Sequence, residues 1–298
     1  MRFSPRLQAI LQALFVTFLW STSWVLIKRT LAEIPPLTFA GLRYSIAVLI
    51  LLPGLRRQKT AIRTLSVRDW GFLAGLGLVF YTMTQGGQFL TLNHLEAVTF
   101  SLLLNFTTVL VALIGVFTLR EVPSRWQWAG IVIFVAGALV YFYPVSVPAG
   151  KALGFTLAGF TVCANAVAAL LGRAVNRKQT IPSTVVTVIS MGIGALVLLG
   201  IGLAVQGLPP LSRNGWIVIG WLAVVNTALA FTLWNSSLRI LSATESSIIN
   251  NTMLVQIAVL AWLFLGERLS MGEVAGLILA SSGALLVQVA RPEHRQGR

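Results

Sequence analysis

Long apolar stretches separated by short polar segments form the pattern of the whole chain. Ten of these stretches are about 20 residues long, the length that a helix needs to cross a hydrocarbon core about 30 Å thick. They lack the alternation of apolar and polar positions that is typical of barrel strands, so each one predicts a helix. The ten predicted helices are Ala9–Ile27, Pro36–Leu55, Trp70–Leu92, Ala97–Thr118, Ser124–Tyr143, Leu153–Leu171, Ser183–Val205, Gly215–Leu238, Ser246–Phe264 and Met271–Val289.

The chain contains one sequence pattern twice, 146 positions apart. When Leu95–Leu139 is aligned without a gap to Leu241–Leu285, fourteen of the forty-five positions are identical. A composition this rich in Leu, Ala and Val would give roughly four or five identities by chance, so the repeat is real. The chain is therefore predicted to consist of two copies of one unit, residues 9–143 and 153–289.

Basic residues fall mainly in alternate gaps between the predicted helices. If the N-terminus is inside the cell, the inner segments hold sixteen Lys and Arg residues and the outer segments hold five. The positive-inside rule then predicts ten helices with both termini in the cytoplasm. Because five helices per copy is an odd number, the second copy is predicted to enter the membrane inverted relative to the first.

The predicted fold is thus all-α and polytopic, with ten transmembrane helices arranged as two inverted five-helix repeats. Inverted repeats are typical of secondary transporters, in which two near-equivalent packings open a site at the repeat interface to each face in turn. The alternative is a duplicated helical bundle without a transport pathway.

The composition agrees with a membrane protein. The 298 residues are 56% hydrophobic and 10% charged, with a mean hydropathy of +0.84, whereas soluble domains carry roughly 25% charged residues. A net charge of +14 would suggest a nucleic-acid partner for a soluble chain. Here the basic residues follow the positive-inside rule, so no nucleic-acid partner is expected. The run from Ala9 resembles a signal peptide, but no cleavage site follows it, and it is expected to stay as the first helix.

Short motifs in both halves resemble the EamA domains of the drug/metabolite transporter superfamily. The motifs are Phe18-Leu19-Trp20-Ser21-Thr22-Ser23-Trp24, Pro36-Leu37-Thr38-Phe39-Ala40-Gly41-Leu42-Arg43-Tyr44, Leu119-Arg120-Glu121 and Leu265-Gly266-Glu267-Arg268-Leu269. The resemblance covers roughly residues 9 to 290 and implies eight helices around a central cavity, with the fifth and tenth peripheral. It implies export of amino acids and related metabolites, or of small toxic compounds. The second half has Ile189 in place of Arg43 and lacks the Trp-Ser-Thr box, so the halves are expected to contribute unequally to the site.

Arg43 is a charged residue within a predicted membrane helix, about 10 Å from the outer end. An Arg near mid-membrane costs about 2.5–3.5 kcal/mol on insertion scales, so its presence requires an explanation. Its side chain either extends towards the membrane surface and binds helix carbonyls, or it holds a substrate carboxylate or another anion. Trp20, close to Ser23 in the first helix, either packs against neighbouring helices or forms a stacking wall for an apolar substrate group.

Other polar residues at membrane depth either face a cavity or bond between helices. Tyr81, Gln85 and Gln88 form one stripe at helical spacing, with Thr84 beside it. Asn105 and Asn251 are equivalent in the two repeats, which suits either a ring around a pseudo-two-fold axis or a pair of structural hydrogen bonds. The candidate substrate-binding residues are Trp20, Ser23, Arg43, Tyr81, Thr84, Gln85, Gln88, Ser101, Asn105, Asn226, Trp234, Ser247 and Asn251.

Acidic residues and histidines are scarce at mid-membrane. Asp69 is the only aspartate and falls in a predicted loop, while the two histidines and the seven glutamates lie at helix ends, in loops or in the tail. Glu121 and Glu267, at equivalent helix ends, are expected to anchor the helices that follow them. The sequence offers no metal-ligand cluster, acid–base pair or phosphate-binding loop, so no enzyme, metal, cofactor or ATP-driven pump is expected.

The sequence therefore predicts a secondary transporter in a bacterial inner membrane that exports a small polar metabolite by alternating access. The lack of a buried carboxylate disfavours a proton-coupled exporter of organic cations and leaves neutral, zwitterionic or anionic substrates. Among these, the resemblance to EamA domains implies an amino acid or a derivative, which is the predicted substrate. An exporter of small toxic or drug-like compounds is the alternative. A channel is less favoured, because charged rings and a repeated filter loop are missing. The expected partners are the substrate and the lipid bilayer, and a homodimer is left open.

Overall fold

The computed structural model describes residues 4–118, 123–144, 149–177 and 181–290, and all the regular structure in these ranges is helical. Three of the ten long helical segments are composite: α3 joins Val67–Leu76, Gly77–Gln85 and Gly86–His94, α4 joins Ala97–Leu104 and Phe106–Thr118, and α8 joins Arg213–Ala223, Val224–Leu229 and Ala230–Ser237. The others are α1 (Pro5–Thr30), α2 (Pro36–Leu55), α5 (Arg125–Tyr141), α6 (Ala152–Arg177), α7 (Ser183–Gln206), α9 (Ala243–Leu265) and α10 (Met271–Val289). Two short helices, Arg56–Gln58 and Lys59–Arg63, follow α2.

Each of the ten helices coincides with one of the predicted apolar stretches. Within the described residues, eight helices are long and apolar enough to cross a membrane, and α5 is a shorter apolar helix. The remaining one, α3, is equally long but carries the polar stripe. The all-helical, polytopic fold is thereby confirmed. The largest differences in length are at α1 and α6. Helix α1 extends beyond the predicted Ala9–Ile27 at both ends, and α6 continues beyond the predicted end at Leu171 to Arg177.

Serine residues fix where four of the helices begin. In each case the serine hydroxyl accepts the N–H of the residue three positions later, whose own side chain accepts the serine N–H. This reciprocal capping box satisfies two backbone donors that have no partner at the start of a helix. The four pairs are Ser66 with Asp69, Ser124 with Gln127, Ser242 with Glu245 and Ser270 with Glu273.

The chain folds into two compact units that do not coincide with the two sequence repeats. Unit 1 comprises Met1–Val25, Leu95–Leu153 and Thr232–Arg298, and unit 2 comprises Leu26–His94 and Gly154–Phe231. Helices α4, α5, α9 and α10 lie in unit 1, whereas α2, α3, α7 and nearly all of α6 lie in unit 2. Helices α1 and α8 contribute residues to both. Each unit therefore contains helices from both repeats.

In unit 2, the equivalent helices α2 and α7 pack against each other in opposite directions. A Cβ atom added to Gly41 would lie 2.5 Å from Cα of Leu199, and one added to Gly202 would lie 2.8 Å from Cα of Thr38. Thr38 lies against Gly202, and Gly41, three residues later on α2, lies against Leu199, three residues earlier on α7. The two helices therefore run antiparallel. Only glycine allows the two backbones to approach this closely, as at helix interfaces in membranes.

In unit 1, α5 and α10 show the same antiparallel relationship with a further symmetry. A Cβ atom on Gly130 would lie 2.9 Å from the carbonyl oxygen of Gly283, and one on Gly137 would lie 2.8 Å from that of Gly276. The repeat offset converts the first contact into the second, because Gly130 is equivalent to Gly276 and Gly137 to Gly283. Contacts that exchange in this way indicate a local two-fold axis between the helices. The two repeats are therefore inverted copies.

Polar contacts at the ends of helices in unit 1 agree with ten crossings. At one end, Arg6 in the first turn of α1 forms an ion pair with Glu245 at the start of α9 (2.6 Å). At the other end, Lys151 pairs with Glu96 (2.9 Å) in the gap before α4. Each contact joins segments that the count of ten crossings puts on one side of the membrane.

Candidate functional site

Two helices leave the α-helical hydrogen-bonding pattern at equivalent places within unit 2. The central part of α3, Gly77–Gln85, and the central part of α8, Val224–Leu229, are π-helical. The repeat offset superimposes most of the two segments. A π segment widens the turn and redirects the side chains on it, and such segments occur often at functional sites. These two segments contain four of the predicted site residues, Tyr81, Thr84, Gln85 and Asn226.

Arg43 is the only charged side chain among the described residues that is fully buried, with 5% of its surface exposed. Its Nε donates a hydrogen bond to Oγ1 of Thr227 in the π segment of α8 (3.1 Å). The Thr227 hydroxyl in turn donates to the Leu222 carbonyl five residues earlier (2.8 Å), a carbonyl that the wide π turn leaves available. The guanidinium carbon lies 5.1 Å from the centre of the Tyr44 ring, in the range of a cation–π contact.

No carboxylate in the described part of the chain neutralises Arg43. The two ion pairs found there are Arg6–Glu245 and Lys151–Glu96. The terminal guanidinium nitrogens of Arg43 make no hydrogen bond to another described residue. They are the two-pronged donors that bind a carboxylate best.

Tyr44 connects Arg43 to the polar stripe of α3. Its hydroxyl donates a hydrogen bond to Oε1 of Gln85 (2.7 Å), and its ring packs edge-on against Tyr81, with 5.5 Å between the ring centres. We name Arg43, Tyr44, Tyr81, Gln85 and Thr227 the Arg43 cluster. It joins the predicted residues on α2 and α3 to the π segment of α8 through contacts within unit 2.

Three predicted residues of unit 2 lie near these contacts without a described role in them. Thr84 is buried and donates to the carbonyl of Val79, five residues earlier (3.0 Å), so its hydroxyl stabilises the π segment of α3. Gln88 is half-buried on the same stripe, and Asn226 is fully buried beside Thr227.

Unit 1 contains a second group of predicted residues. The rings of Trp20 on α1 and Trp234 on α8 are 5.2 Å apart and tilted by 52°. Beside them, the Ser21 hydroxyl donates to Oε1 of Gln256 on α9 (3.0 Å), and Nε2 of Gln256 donates to Thr17 (3.3 Å). We name these five residues the Trp20 cluster. It combines an aromatic wall with a bonded amide, a surface suited to an uncharged organic group.

The remaining predicted residues of unit 1 bond mainly within or between neighbouring helices. Ser23 and Ser101 are buried and donate to carbonyls of their own helices, Leu19 and Val98. The Asn105 amide likewise donates to the carbonyl of Ser101 (2.9 Å). These local bonds leave a role of the three residues in substrate binding as a prediction.

The equivalent residues Asn105 and Asn251 do not make equivalent contacts. Asn251 donates to the carbonyl of Ser281 on α10 (3.0 Å), and its buried Oδ1 accepts no hydrogen bond from a described residue. Ser247, one turn earlier, donates to Oε1 of Gln288 on the same helix (2.8 Å). These bonds favour the structural interpretation of Ser247 and Asn251, which is the attachment of α10 to α9.

Glu267 acts as an anchor, but of a helix other than the one expected. Its carboxylate accepts the backbone N–H groups of Ala97 (2.7 Å) and Val98 (3.0 Å) at the start of α4, instead of serving α10. The unpaired N–H groups at the start of a helix attract negative charge. Because the second repeat is inverted relative to the first, the start of α4 lies beside Glu267. The equivalent Glu121 lies outside the described residues.

In the Arg43 cluster, the structure adds two residues to those chosen from the sequence. Tyr44 stands in a quoted motif, and Thr227 adjoins Asn226, but neither was selected as a site residue. Both owe their contacts to the π segments, which hydrophobic periodicity does not reveal. Among the described residues, no three His, Cys, Asp or Glu side chains come together as a possible metal site.

Comparison with known proteins identifies the family. Residues 7–143 and 153–289 each match the EamA-like transporter family. The chain belongs to this family. The two matched ranges together cover most of the chain, and each corresponds to one of the inverted repeats, so both EamA-like halves contribute helices to each compact unit.

Relatives of similar length agree with this assignment. The uncharacterized transporter YvbV of Bacillus subtilis (strain 168) is 27% identical, with 95% of this chain and 92% of that protein aligned. A protein of Escherichia coli (strain K12) named a probable amino-acid metabolite efflux pump is 24% identical, with 91% of each chain aligned. A solved crystal structure shares the fold, with a TM-score of 0.66, 18% identity, and coverage of 95% of this chain and 98% of that one. This EamA-like chain is therefore a multi-pass membrane transporter.

Proposed function

We propose that this EamA-like transporter exports a small metabolite that carries a carboxylate, most specifically an amino acid or a derivative, out of the bacterial cytoplasm. The substrate would bind at the Arg43 cluster and leave by alternating access, the mechanism expected of inverted repeats. Both termini would be cytoplasmic, as the distribution of basic residues indicates.

The observation that carries this proposal is the state of Arg43. Burying a guanidinium in a membrane helix without a carboxylate partner is unfavourable, and ionisable groups in that position commonly mark substrate pathways. Thr227 and Tyr44 hold the side chain in place and leave its terminal nitrogens for another anion. A carboxylate with two oxygens matches this pair of donors.

The names of relatives support the same substrate class. The proteins of Escherichia coli and Salmonella typhimurium that are named probable amino-acid metabolite efflux pumps align with about nine-tenths of this chain. A second candidate, export of small toxic or drug-like compounds, is favoured by the Trp20 cluster, because paired indole rings bind apolar organic groups without requiring a charge.

Purified protein in liposomes tests the proposal. A thermal-shift screen of amino acids and related metabolites first selects a ligand, because binding raises the melting temperature by mass action. Counterflow of that amino acid is then compared with counterflow of its amide, in which a neutral carboxamide replaces the carboxylate. We expect wild-type protein to transport the amino acid at least about tenfold better, from the strength of hydrogen bonds to charged groups.

Arg43→Gln tests the role of Arg43 in binding, and Arg239→Gln is the control for the loss of an arginine elsewhere in the chain. Arg43→Gln is expected to lose the preference for the carboxylate, whereas Arg239→Gln, which changes an exposed arginine, keeps it. Equal transport of amino acid and amide by wild-type protein would contradict the substrate class. Transport of uncharged aromatic compounds alone would support the second candidate.

A further inference from the structure

A groove in unit 2 lies apart from the Arg43 cluster, at the start of α3. It has a volume of about 390 Å³ and is lined by Arg68, Gly71, Phe72 and Gly75 of α3 and by Leu171 of α6. The two glycines are one turn apart and form a floor without side chains. A Cβ atom added to either would meet no other atom within 4 Å, so the space above them is open.

Charge is concentrated at the polar end of this groove. The Arg68 side chain is exposed, with its guanidinium carbon 5.7 Å from the centre of the Phe72 ring. Neither ion pair in the described ranges involves it. The neighbouring Asp69 directs its carboxylate to Ser66 in the capping box. Arg68 therefore presents, beside an apolar groove, a positive charge that forms no ion pair with another described residue.

The segment before α3 adds further positive charge. The short helices Arg56–Gln58 and Lys59–Arg63 carry four basic residues, all exposed. Ile62 of the second short helix and Leu65, which follows it, pack against a buried core that includes Leu73 of α3. The segment is thus attached to the helices that cross the membrane, with its basic face outwards. Basic clusters beside membrane helices attract anionic lipid headgroups.

The position of Trp70 indicates the depth of the groove. Its side chain is exposed and lies between Arg68 and the glycines in sequence. Exposed tryptophans at helix ends are typical of the boundary between headgroups and hydrocarbon. The charged end of the groove therefore lies at headgroup level, and Gly71, Gly75 and Leu171 lie deeper.

We propose that this groove binds an anionic glycerophospholipid of the leaflet that faces the α2–α3 segment. Its phosphate binds Arg68 and the adjacent basic segment, and one acyl chain lies over Gly71 and Gly75 between Phe72 and Leu171. The combination of an apolar floor with a cationic end at one depth selects this ligand over a free phosphate ion, which has no acyl chain, and over a neutral lipid, which gains nothing from the charge.

The test measures the melting temperature of the purified full-length chain in detergent with added phosphatidylglycerol, phosphatidylcholine or inorganic phosphate. Phosphatidylglycerol is expected to raise the melting temperature more than phosphatidylcholine, and inorganic phosphate is expected to leave it unchanged. Arg68→Gln should remove the difference between the two lipids, and Gly75→Leu, which fills the groove, should reduce the response to phosphatidylglycerol.

Two matched controls keep the result specific. Arg213→Gln changes an exposed arginine at the start of α8, and Gly159→Leu fills open space at an exposed glycine of α6. Both should retain the full response to phosphatidylglycerol. The proposal is overturned if the two lipids act equally on wild-type protein, if inorganic phosphate alone reproduces the shift, or if the control variants lose the response as strongly as Arg68→Gln and Gly75→Leu.

Discussion

The hydrogen bond from Nε of Arg43 to Oγ1 of Thr227 joins α2 of the first repeat to the π segment of α8 in the second (3.1 Å). This bond holds Arg43, the one buried charged side chain of the described residues, through Nε, which carries a single N–H. The two terminal nitrogens of the guanidinium remain available to bind a carboxylate. The π turn is part of this arrangement, because it leaves the carbonyl of Leu222 free to accept a hydrogen bond from the Thr227 hydroxyl.

Loss of the Thr227 hydroxyl is expected to weaken binding of a carboxylate substrate. Thr227→Val keeps the shape but leaves Nε of Arg43 without its acceptor, and an unsatisfied buried donor costs about 1–3 kcal/mol. We expect KM for the amino acid to rise by about fivefold or more in proteoliposomes, while Thr227→Ser stays close to wild type. If the Val and Ser variants behaved alike, the hydroxyl would have no part in positioning Arg43.

Tyr44 and Gln85 are expected to be energetically coupled. Tyr44→Phe removes the hydroxyl bond but keeps the ring contacts with Tyr81 and Arg43. Combined with Gln85→Met in a double-mutant cycle, thermal unfolding should give a coupling of about 0.5–1.5 kcal/mol. Strictly additive effects would show that the bond does not contribute to stability.

The glycine contacts between α5 and α10 predict matched effects in the two repeats. Gly137→Ala and Gly283→Ala would each force a Cβ atom against the backbone of the opposite helix. Overpacking of this kind typically costs about 1–3 kcal/mol. Both variants should lower the melting temperature by similar amounts, and Gly220→Ala, which meets open space, should not lower it. A large effect of only one of the two would contradict the local two-fold symmetry.

Glu267 is expected to stabilise α4 although it lies in the other repeat. Its replacement by Ala removes both acceptors from the first turn of α4, and loss of such a cap costs about 0.5–2 kcal/mol. Glu267→Gln keeps one acceptor oxygen and should fall between wild type and Glu267→Ala in melting temperature. Hydrogen exchange should locate the change at residues 97 and 98. Faster exchange confined to the start of α10 would instead support the anchor expected from the sequence.

The sequence predicts the helices and the repeat of this protein well, because both leave strong and regular patterns of apolar residues along the chain. Apolar runs of membrane length locate all ten helices, and the repeat offset explains why Gly130 and Gly276 occupy equivalent places in the α5–α10 contact. It does not predict the exchange of helices between the compact units, because packing between distant segments leaves no local pattern.

The details of the candidate site are less accessible from sequence. Arg43, Tyr81 and Gln85 stand out as polar residues in apolar surroundings, and the structure connects them through Tyr44. The π segments depend on a single additional residue per turn, which does not change the hydrophobic pattern. The different contacts of Asn105 and Asn251 could not be predicted from their equivalence either, because the partner depends on packing: Asn105 donates within its own helix and Asn251 donates to α10.

The central claim is that the two repeats are inverted in the membrane, and cysteine accessibility tests it directly. Val67 and Arg213 are equivalent, exposed residues that begin α3 and α8. Each is replaced by cysteine in a chain whose own cysteine is changed by Cys163→Ser, and cells are treated with a thiol reagent that cannot cross the membrane. Labelling of the cysteine at position 213 in intact cells, and of the one at 67 only after the cells are opened, is the predicted result. Labelling of both positions from the same side would contradict the inverted repeat and the transport mechanism built on it.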